Sequence, residues 1–267
     1  MQLLFVVCPV QWNDMARIIA VCNQKGGVGK TTTSVNLGAY LAAQGKYVLL
    51  VDLDSQANAT LGLGIQVPPH AQNVYHSLVT DANPIPMVLK TPMFGYDILP
   101  ATQALAGATV ELVSMQEREY RLRRTLNHLR NNYDYVLIDC PPSLGLLTIN
   151  ALAAADRVLI PVQCEYYALE GLGQLMRTIE LVREGINQDL SVMGVVLTMH
   201  DKRNQLSRQV VNEVVKNFPG RVFESIVPRV ISVAEAPSFG RTILEHDPAS
   251  KAAMAYHRLA QEIIRLH

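Results

Sequence analysis

The sequence predicts an α/β fold: a single doubly wound, mostly parallel sheet with helices on both faces. Continuous runs rich in Val, Ile and Leu, typical of buried parallel strands, alternate along the chain with longer segments of helical periodicity. With 49% hydrophobic and 17% charged residues among 267, and no repeat or interdomain linker, the chain is expected to form one globular domain. The predicted strands are 17–22, 47–52, 96–99, 135–139, 157–162, 192–198 and 222–227.

Helical segments are predicted to connect these strands. The first is expected to end at Gly45, because glycine commonly forms the C-terminal cap of a helix. The last is amphipathic, and Met254, Leu259, Ile263 and Ile264 are expected to pack on the sheet rather than on a membrane. The predicted helices are 30–44, 110–130, 146–154, 169–184, 205–217 and 249–266.

The N-terminal segment differs from the rest of the chain. Its apolar run, 3–7, is short and no basic residue precedes it, which is atypical of a signal peptide. Met15 stands just before the first predicted strand, so we expect translation to begin there. Residues 1–16 are therefore predicted to be a non-native or disordered leader, and 17–267 the folded domain.

Charge and cysteine content narrow the class of protein. The chain has 23 Lys and Arg against 23 Asp and Glu, so any contact with nucleic acid must come from a local patch. None of its four cysteines forms a C-x-x-C pair, which favours reduced thiols in a cytoplasmic protein.

A phosphate-binding loop is predicted between the first strand and the first helix. The usual pattern, G-x-x-x-x-G-K-[ST], would place a glycine where Gln24 stands, and a second lysine, Lys25, follows it. Glycines let backbone N–H groups point at phosphate oxygens, and the helix adds its positive end. Lys30 is expected to reach the β- and γ-phosphates and the Thr31 hydroxyl to hold Mg²⁺. The predicted nucleotide-binding residues of this loop are Lys25, Gly26, Gly27, Val28, Gly29, Lys30, Thr31 and Thr32.

Acidic residues follow two later strands, at the sheet edge where ligands bind in such folds. Asp139 ends an apolar strand, as a Walker B residue does, and is predicted to hold Mg²⁺, usually through a water. Asp54, just past the second strand, is predicted to orient or deprotonate the water that attacks the γ-phosphate. Asp52 is expected to support either the magnesium shell or the loop.

These motifs resemble those of the Soj-like ParA partitioning ATPases, members of the deviant Walker A group of P-loop proteins, over essentially the whole chain. The resemblance implies a nucleotide-sandwich dimer in which Lys25 reaches the partner's phosphates, with Lys30 and Asp54 as the other catalytic residues. Gln56 and Asn58 fit the ParA pattern D-x-D-P-Q-x-N rather than that of MinD. Ser55 and Ala57 depart from it, since ParA usually has Pro and often has Gly at these positions.

Two segments of the C-terminal half also resemble ParA. They imply that Met199 and Pro228 lie near the adenine. Family members bind DNA non-specifically through basic residues of this half, but one position that is often Arg is Ser232 here. The DNA-binding residues implied are Lys202, Arg203 and Arg229.

The expected function is therefore that of a cytoplasmic, nucleoid-associated ATPase that requires ATP and Mg²⁺ and hydrolyses ATP weakly alone. ATP-bound homodimers would coat DNA non-specifically, a ParB-like centromere-binding protein would stimulate hydrolysis and so release them, and no stable membrane association is expected. One alternative is a ParA-like ATPase that positions another cargo, a protein cluster or membrane site, without binding DNA. A second is an ATP-dependent carboxylation or amide-forming ligase, which would need a substrate pocket that the sequence does not reveal.

Overall fold

A computed structural model describes residues 15–165 and 168–266, so the predicted leader lies outside the described residues except for its last two. The strands are β1 (Arg17–Val21), β2 (Val48–Asp52), β3 (Leu89–Lys90), β4 (Tyr96–Leu99), β5 (Tyr135–Asp139), β6 (Arg157–Gln163) and β7 (Ser191–Thr198). Within the described ranges they form one sheet in the order β3-β4-β2-β5-β1-β6-β7. All neighbours are parallel except β3, which runs antiparallel to β4. The predicted fold class is confirmed.

Helices cover both faces of this sheet. They are α1 (Lys30–Ala43), α2 (Asn58–Gly62), α3 (Val74–Val79), α4 (Leu105–Glu111), α5 (Arg121–Asn127), α6 (Leu146–Ala154), α7 (Ala168–Gly185), α8 (Gln205–Asn217), α9 (Ile231–Glu235), α10 (Ile243–His246) and α11 (Lys251–Arg265). None of those in the described ranges combines the length and hydropathy that a bilayer span requires.

Strand β1 illustrates how the core is divided between the two faces. Successive side chains of a strand point to opposite sides. Ile18 and Ala20 accordingly pack into the cluster that includes α6 and α7, whereas Ile19 and Val21 pack into the cluster that includes α1 and α11. The strand is buried on both faces, which explains its continuous apolar sequence.

Strand register brings the acidic residues together at one edge. Val21 of β1 pairs with Asp139 of β5, and Asp139 pairs on its other side with Asp52 of β2. The carboxyl ends of three neighbouring strands are therefore level, and the loop that enters α1 begins at the same edge. This is the edge at which open α/β sheets bind ligands.

The predicted strand 222–227 is wrong. The segment runs beside β7, but among the described residues a single isolated bridge, between Val195 and Val222, joins the two. The reason is that the N–H groups of Glu224 and Ser225 donate to the Glu262 carboxylate on α11, each at 2.9 Å, so they do not continue a ladder.

The single predicted helix 110–130 is also wrong, because the chain is interrupted between α4 and α5. Met115 is extended, with ψ 143°, and Glu117 has a φ of +50°. The amide of Asn150 on α6 accepts a hydrogen bond from the Leu122 N–H at 3.1 Å, which fixes the start of α5 from outside. The interruption therefore depends on a contact between helices.

Helix α11 packs largely as expected, with one exception. Leu259 and Ile263 are buried in the cluster shared with α1, and Ile264 is half-buried against it. Met254 is 47% exposed, so its predicted packing on the sheet is wrong.

Candidate nucleotide-binding site

The loop between β1 and α1 has the backbone conformation that phosphate binding requires. Gly27 and Gly29 have φ values of +72° and +87°, in the left-handed region that favours glycine. Helix α1 begins directly after Gly29, whose carbonyl accepts the Thr33 N–H at 2.8 Å. The unpaired N–H groups and positive end of the helix therefore lie at the loop, which suits a bound phosphate.

The side chain of Lys30 closes over this loop. It is only 7% exposed, and its ammonium donates to the Lys25 carbonyl at 3.0 Å. Burial lowers the pKa of Lys30, while the charge of Asp139 opposes that shift. A phosphate bound in the loop would give this ammonium a charged hydrogen-bond acceptor.

Asp139 lies beneath the loop, at the end of β5. It is fully buried, and its Oδ1 accepts a hydrogen bond of 2.9 Å from the Ser34 hydroxyl. The pKa of Asp139 is raised to about 7, because burial and the charge of Asp52 together outweigh the opposing effect of the Thr31 and Ser34 hydroxyls. This carboxyl is therefore poised to become fully ionised when a cation approaches.

These residues fit a magnesium ion. The Oδ2 atom of Asp139 is buried and has no hydrogen-bond partner among the described residues, and the Thr31 hydroxyl lies nearby. Mg²⁺ prefers oxygen ligands and is usually bound by one or two protein groups together with phosphate oxygens and waters. Thr31 and Asp139 would therefore hold the ion, which would neutralise phosphate charge there.

The hydrogen bonds of Asp52 favour one of the two alternatives left open for it. One oxygen accepts the Asp54 N–H at 3.1 Å, and the other accepts the Thr60 N–H at 2.9 Å and the Thr60 hydroxyl at 2.7 Å. The two oxygens thus hold the chain from the end of β2 to Thr60 within α2, which supports the loop role. Burial raises the pKa of Asp52 to about 6.

Asp54 stands at the start of that segment. Its Oδ1 accepts the Gln56 N–H at 3.0 Å, which forms a short turn, and its side chain is half-buried. Ala57, which follows, has a φ of +53°. The carboxylate of Asp54 is therefore carried by a loop that Asp52 anchors at both ends.

Lys25 differs from Lys30 because its side chain points away from the loop interior. Its N–H donates to the Asn23 side chain at 3.0 Å, which fixes the backbone. The side chain is 38% exposed, and its ammonium lies 3.5 Å from Oε2 of Glu165. The two lysines of the loop are thus directed to different places.

Met199 and Pro228, predicted near the adenine, lie on segments that the structure places side by side. The Thr198 hydroxyl donates to the Val28 carbonyl at 2.7 Å, and a Cβ at Gly29 would lie 3.8 Å from Cε of Met199. An isolated parallel bridge joins the following residue, His200, to Pro228. The end of β7 therefore contacts the phosphate loop directly and brings Pro228 with it.

A cavity of about 450 Å³ adjoins the same loop. It lies against the outer face of α1 at Thr31 and Thr32, with α2 and the residues after α9 as its other walls. The side chains of Asn58, Ser238 and Arg241 line it. The sequence analysis did not assign these three residues to nucleotide binding.

The three predicted DNA-binding residues are all on the surface but in different surroundings. The side chain of Arg203 is 94% exposed and 3.5 Å from the Asp201 carboxylate. Arg229 is 63% exposed and 3.8 Å from Glu165. Lys202 lines a separate cavity of about 330 Å³ together with Lys251 and Arg258 of α11.

Sequence reasoning therefore missed three charged residues near the predicted ones. Lys251 and Arg258 are seven positions apart, so they lie on one face of α11, a signal that was available. Glu165 follows a predicted strand at the ligand-binding edge, as Asp54 does.

Comparisons with known proteins agree on the family. A family model described as an AAA domain matches residues 16–192. The sporulation initiation inhibitor protein Soj of Bacillus subtilis is 56% identical over 93% of this chain and 98% of its own length. The chromosome partitioning protein ParA of Myxococcus xanthus is 52% identical over 95% of this chain and 90% of its own.

The fold also matches a solved structure closely. A crystal structure described as cobyrinic acid a,c-diamide synthase from Mycobacterium smegmatis, with bound ADP and magnesium, is 40% identical and superimposes with a TM-score of 0.83. The match covers 94% of this chain and 95% of that one.

Proposed function

The chain belongs to the Soj/ParA family of chromosome-partitioning ATPases, and we propose that its ATP-bound form is a dimer that binds DNA non-specifically. As a member of this family it is an ATPase, which hydrolyses ATP to ADP and phosphate and uses Mg²⁺. The observation that carries the proposal is the different placement of the two loop lysines. Lys30 is closed over its own loop, whereas Lys25 is directed outward.

Binding of ATP follows from the buried groups of the site. The N–H groups at the start of α1 and the Lys30 ammonium would hold the β- and γ-phosphates. Thr31 and Asp139 would hold Mg²⁺, which neutralises part of the phosphate charge. Met199 and Pro228 would lie near the adenine, since their segments are joined beside the loop.

Hydrolysis would depend on Asp54. Its carboxylate orients or deprotonates the attacking water, and Asp52 holds the backbone that carries it. A loop residue positions its carboxylate less rigidly than a strand residue does. We therefore propose that turnover is weak alone and that a ParB-like centromere-binding partner stimulates it.

Dimerisation would couple the nucleotide to DNA binding. The Lys25 ammonium, placed against the phosphates of a second copy, stabilises the dimer only while those phosphates are present. ATP therefore shifts the population toward dimers. Pairing doubles the number of basic residues that one particle presents to DNA. Hydrolysis reverses both effects, and we place the protein in the cytoplasm, on the nucleoid.

The dimer is tested with an Asp54→Ala variant, which is expected to bind ATP but hydrolyse it poorly. Light scattering should show dimers with saturating Mg·ATP and monomers with ADP. Adding Lys25→Gln should leave nucleotide binding intact and abolish dimers. Adding Lys46→Gln instead, at the far end of α1, should leave both nucleotide binding and dimers intact. A monomeric Asp54→Ala protein in saturating Mg·ATP would refute the proposal.

DNA binding is tested by the salt dependence of affinity for a random duplex. The slope of log affinity against log salt is negative, and each lost phosphate contact decreases its magnitude by about 0.9. Alanine at Lys202, Arg203 or Arg229 should make the slope less steep, and alanine at the exposed Arg183 of α7 should leave it unchanged. No ATP-dependent binding to DNA would instead support the alternative in which another cargo is positioned, which Ser232 favours.

An amide-forming activity is the other alternative, because one similar solved structure is described as a diamide synthase. That structure is 40% identical to this chain, whereas the Soj and ParA relatives are 56% and 52% identical. A ligase also consumes ATP only with its organic acid and amine present. ADP release by purified protein supplied with Mg·ATP and DNA alone therefore separates the two.

A further inference from the structure

Three side chains converge on the carboxylate of Glu165, just beyond the end of β6. Its Oε2 lies 3.5 Å from the Lys25 ammonium, and its Oε1 lies 3.8 Å from Nη2 of Arg229. The Gln163 amide donates to Oε1 at 2.6 Å. Glu165 therefore contacts both the lysine proposed to reach a partner's phosphates and an arginine proposed to contact DNA.

The position of this carboxylate is fixed from the strand below it. Gln163 is the last residue of β6, pairs with Thr198 of β7 and is only 9% exposed. A hydrogen bond from a buried strand residue reduces the freedom of the Glu165 side chain before Lys25 arrives. The ion pair therefore costs less ordering entropy than one between two free side chains.

The backbone of Lys25 is fixed as well, so only its side chain can move. Its N–H donates to Asn23 and its carbonyl accepts from Lys30. In the proposed dimer, the phosphates of a second copy compete with Glu165 for the same ammonium, whose single charge both acceptors share. Phosphates brought near Glu165 also repel its carboxylate, so pairing of two copies weakens the contact with Glu165 in each of them.

We propose that Glu165 is a positioning residue that holds Lys25 within the free chain and thereby sets the ATP concentration at which two copies pair. This inference rests on the proposed dimer and on the role of Lys25 within it. Glu165 is a competing acceptor inside the chain, so Lys25 stays paired with it at low ATP. When ATP fills most nucleotide sites, the phosphates of the second copy displace the carboxylate.

The size of the effect follows from the exposure of the pair. Lys25 and Glu165 are 38% and 49% exposed, and solvent-exposed ion pairs change an equilibrium constant by up to about fivefold. Because both copies must release their lysine, loss of the carboxylate should raise the dimerisation constant by about 2-fold to 30-fold.

The experiment uses the full chain with hydrolysis blocked by Asp54→Ala, and follows dimers by light scattering as Mg·ATP is titrated. Glu165→Gln should lower the ATP concentration needed for half-maximal dimer, and Glu165→Asp, which keeps the charge, should lie closer to the parent. Nucleotide affinity, measured at protein concentrations too low for pairing, should be the same in all three. Glu180→Gln, which removes the partner of Arg183 on α7, is the matched control and should have no effect.

A salt series adds a readout that a structural role would not move. The difference in dimerisation constant between Glu165→Gln and its parent should shrink as the salt concentration rises, because salt screens exposed charges. An unchanged or reduced dimerisation constant in Glu165→Gln, with dimers still present in the parent, would overturn this inference alone. Absence of dimers in the parent at saturating Mg·ATP would refute the proposed function and the inference with it.

Discussion

The Ser34 hydroxyl lies 2.9 Å from Oδ1 of Asp139 and 3.0 Å from the Lys30 carbonyl, so a single proton serves two acceptors beneath the phosphate loop. This contact joins helix α1 to strand β5 in the buried centre of the site. It links the backbone that carries Lys30 to the carboxylate proposed to hold Mg²⁺.

Ser34→Ala should weaken both stability and metal-dependent nucleotide binding. Leaving a buried carboxyl without its hydrogen-bond donor typically lowers the free energy of unfolding by about 1–3 kcal/mol. The lost donor also raises the pKa of Asp139 further, so Mg²⁺ must displace a proton more often. Urea unfolding and titration of nucleotide with and without Mg²⁺ measure the two effects. Ser77→Ala is the control, because that buried hydroxyl donates to the Val74 carbonyl, away from the site. Equal Mg²⁺ dependence in both variants would contradict this assignment.

Lys30→Ala should abolish nucleotide binding while the protein stays folded. The variant removes the ammonium that closes over the loop, and within the described part of the chain no second cation closes over it. Fluorescent nucleotide titration measures the loss, and circular dichroism checks the fold. Lys46→Ala, at the opposite end of α1, should bind as the parent does. ATP affinity retained by Lys30→Ala would refute the role of this lysine.

The raised pKa of Asp52 predicts that the stability of the nucleotide-free protein depends on pH. This pKa is raised from 3.8 to about 6 by burial, so between those values the folded protein binds a proton that the unfolded chain does not. Stability must therefore fall as pH rises through this window and level off above it. Between pH of about 4 and about 6, the free energy of unfolding of the parent should fall by about 2–3 kcal/mol more than that of Asp52→Asn. Urea unfolding across this range measures it; parallel profiles for the two proteins would contradict the shift.

Ala57→Gly should stabilise the loop after Asp54. Ala57 has a φ of +53°, a left-handed conformation that costs a non-glycine residue about 1–2 kcal/mol. Glycine removes that cost but makes the unfolded chain more flexible, so a net gain of about 0.5–1 kcal/mol is expected. Thermal unfolding measures the change. Ala106→Gly, within helix α4, should destabilise instead, and destabilisation by both would argue against strain at this position.

The sequence predicted most of the fold correctly because local pattern and packing agree in its centre. Apolar runs that end in Asp139 or enter the phosphate loop became the inner strands, where both faces are buried. It failed for 110–130 and 222–227, where contacts from other elements decide the local structure. The Asn150 amide fixes the start of α5, and the Glu262 carboxylate takes hydrogen bonds that a ladder with β7 would need.

The sequence alone determined which chemical groups reach the ligand-binding edge of the sheet. The phosphate loop and the acidic residues lie at the carboxyl ends of parallel strands, and these ends meet at one edge. Only the tertiary structure decided which of those groups touch. It directed both oxygens of Asp52 to its own loop, set Lys25 against Glu165, and placed Lys202 in the wall of the same cavity as Lys251 and Arg258. Such contacts join residues far apart in the chain, and they depend on side-chain positions set by packing, which no local pattern encodes.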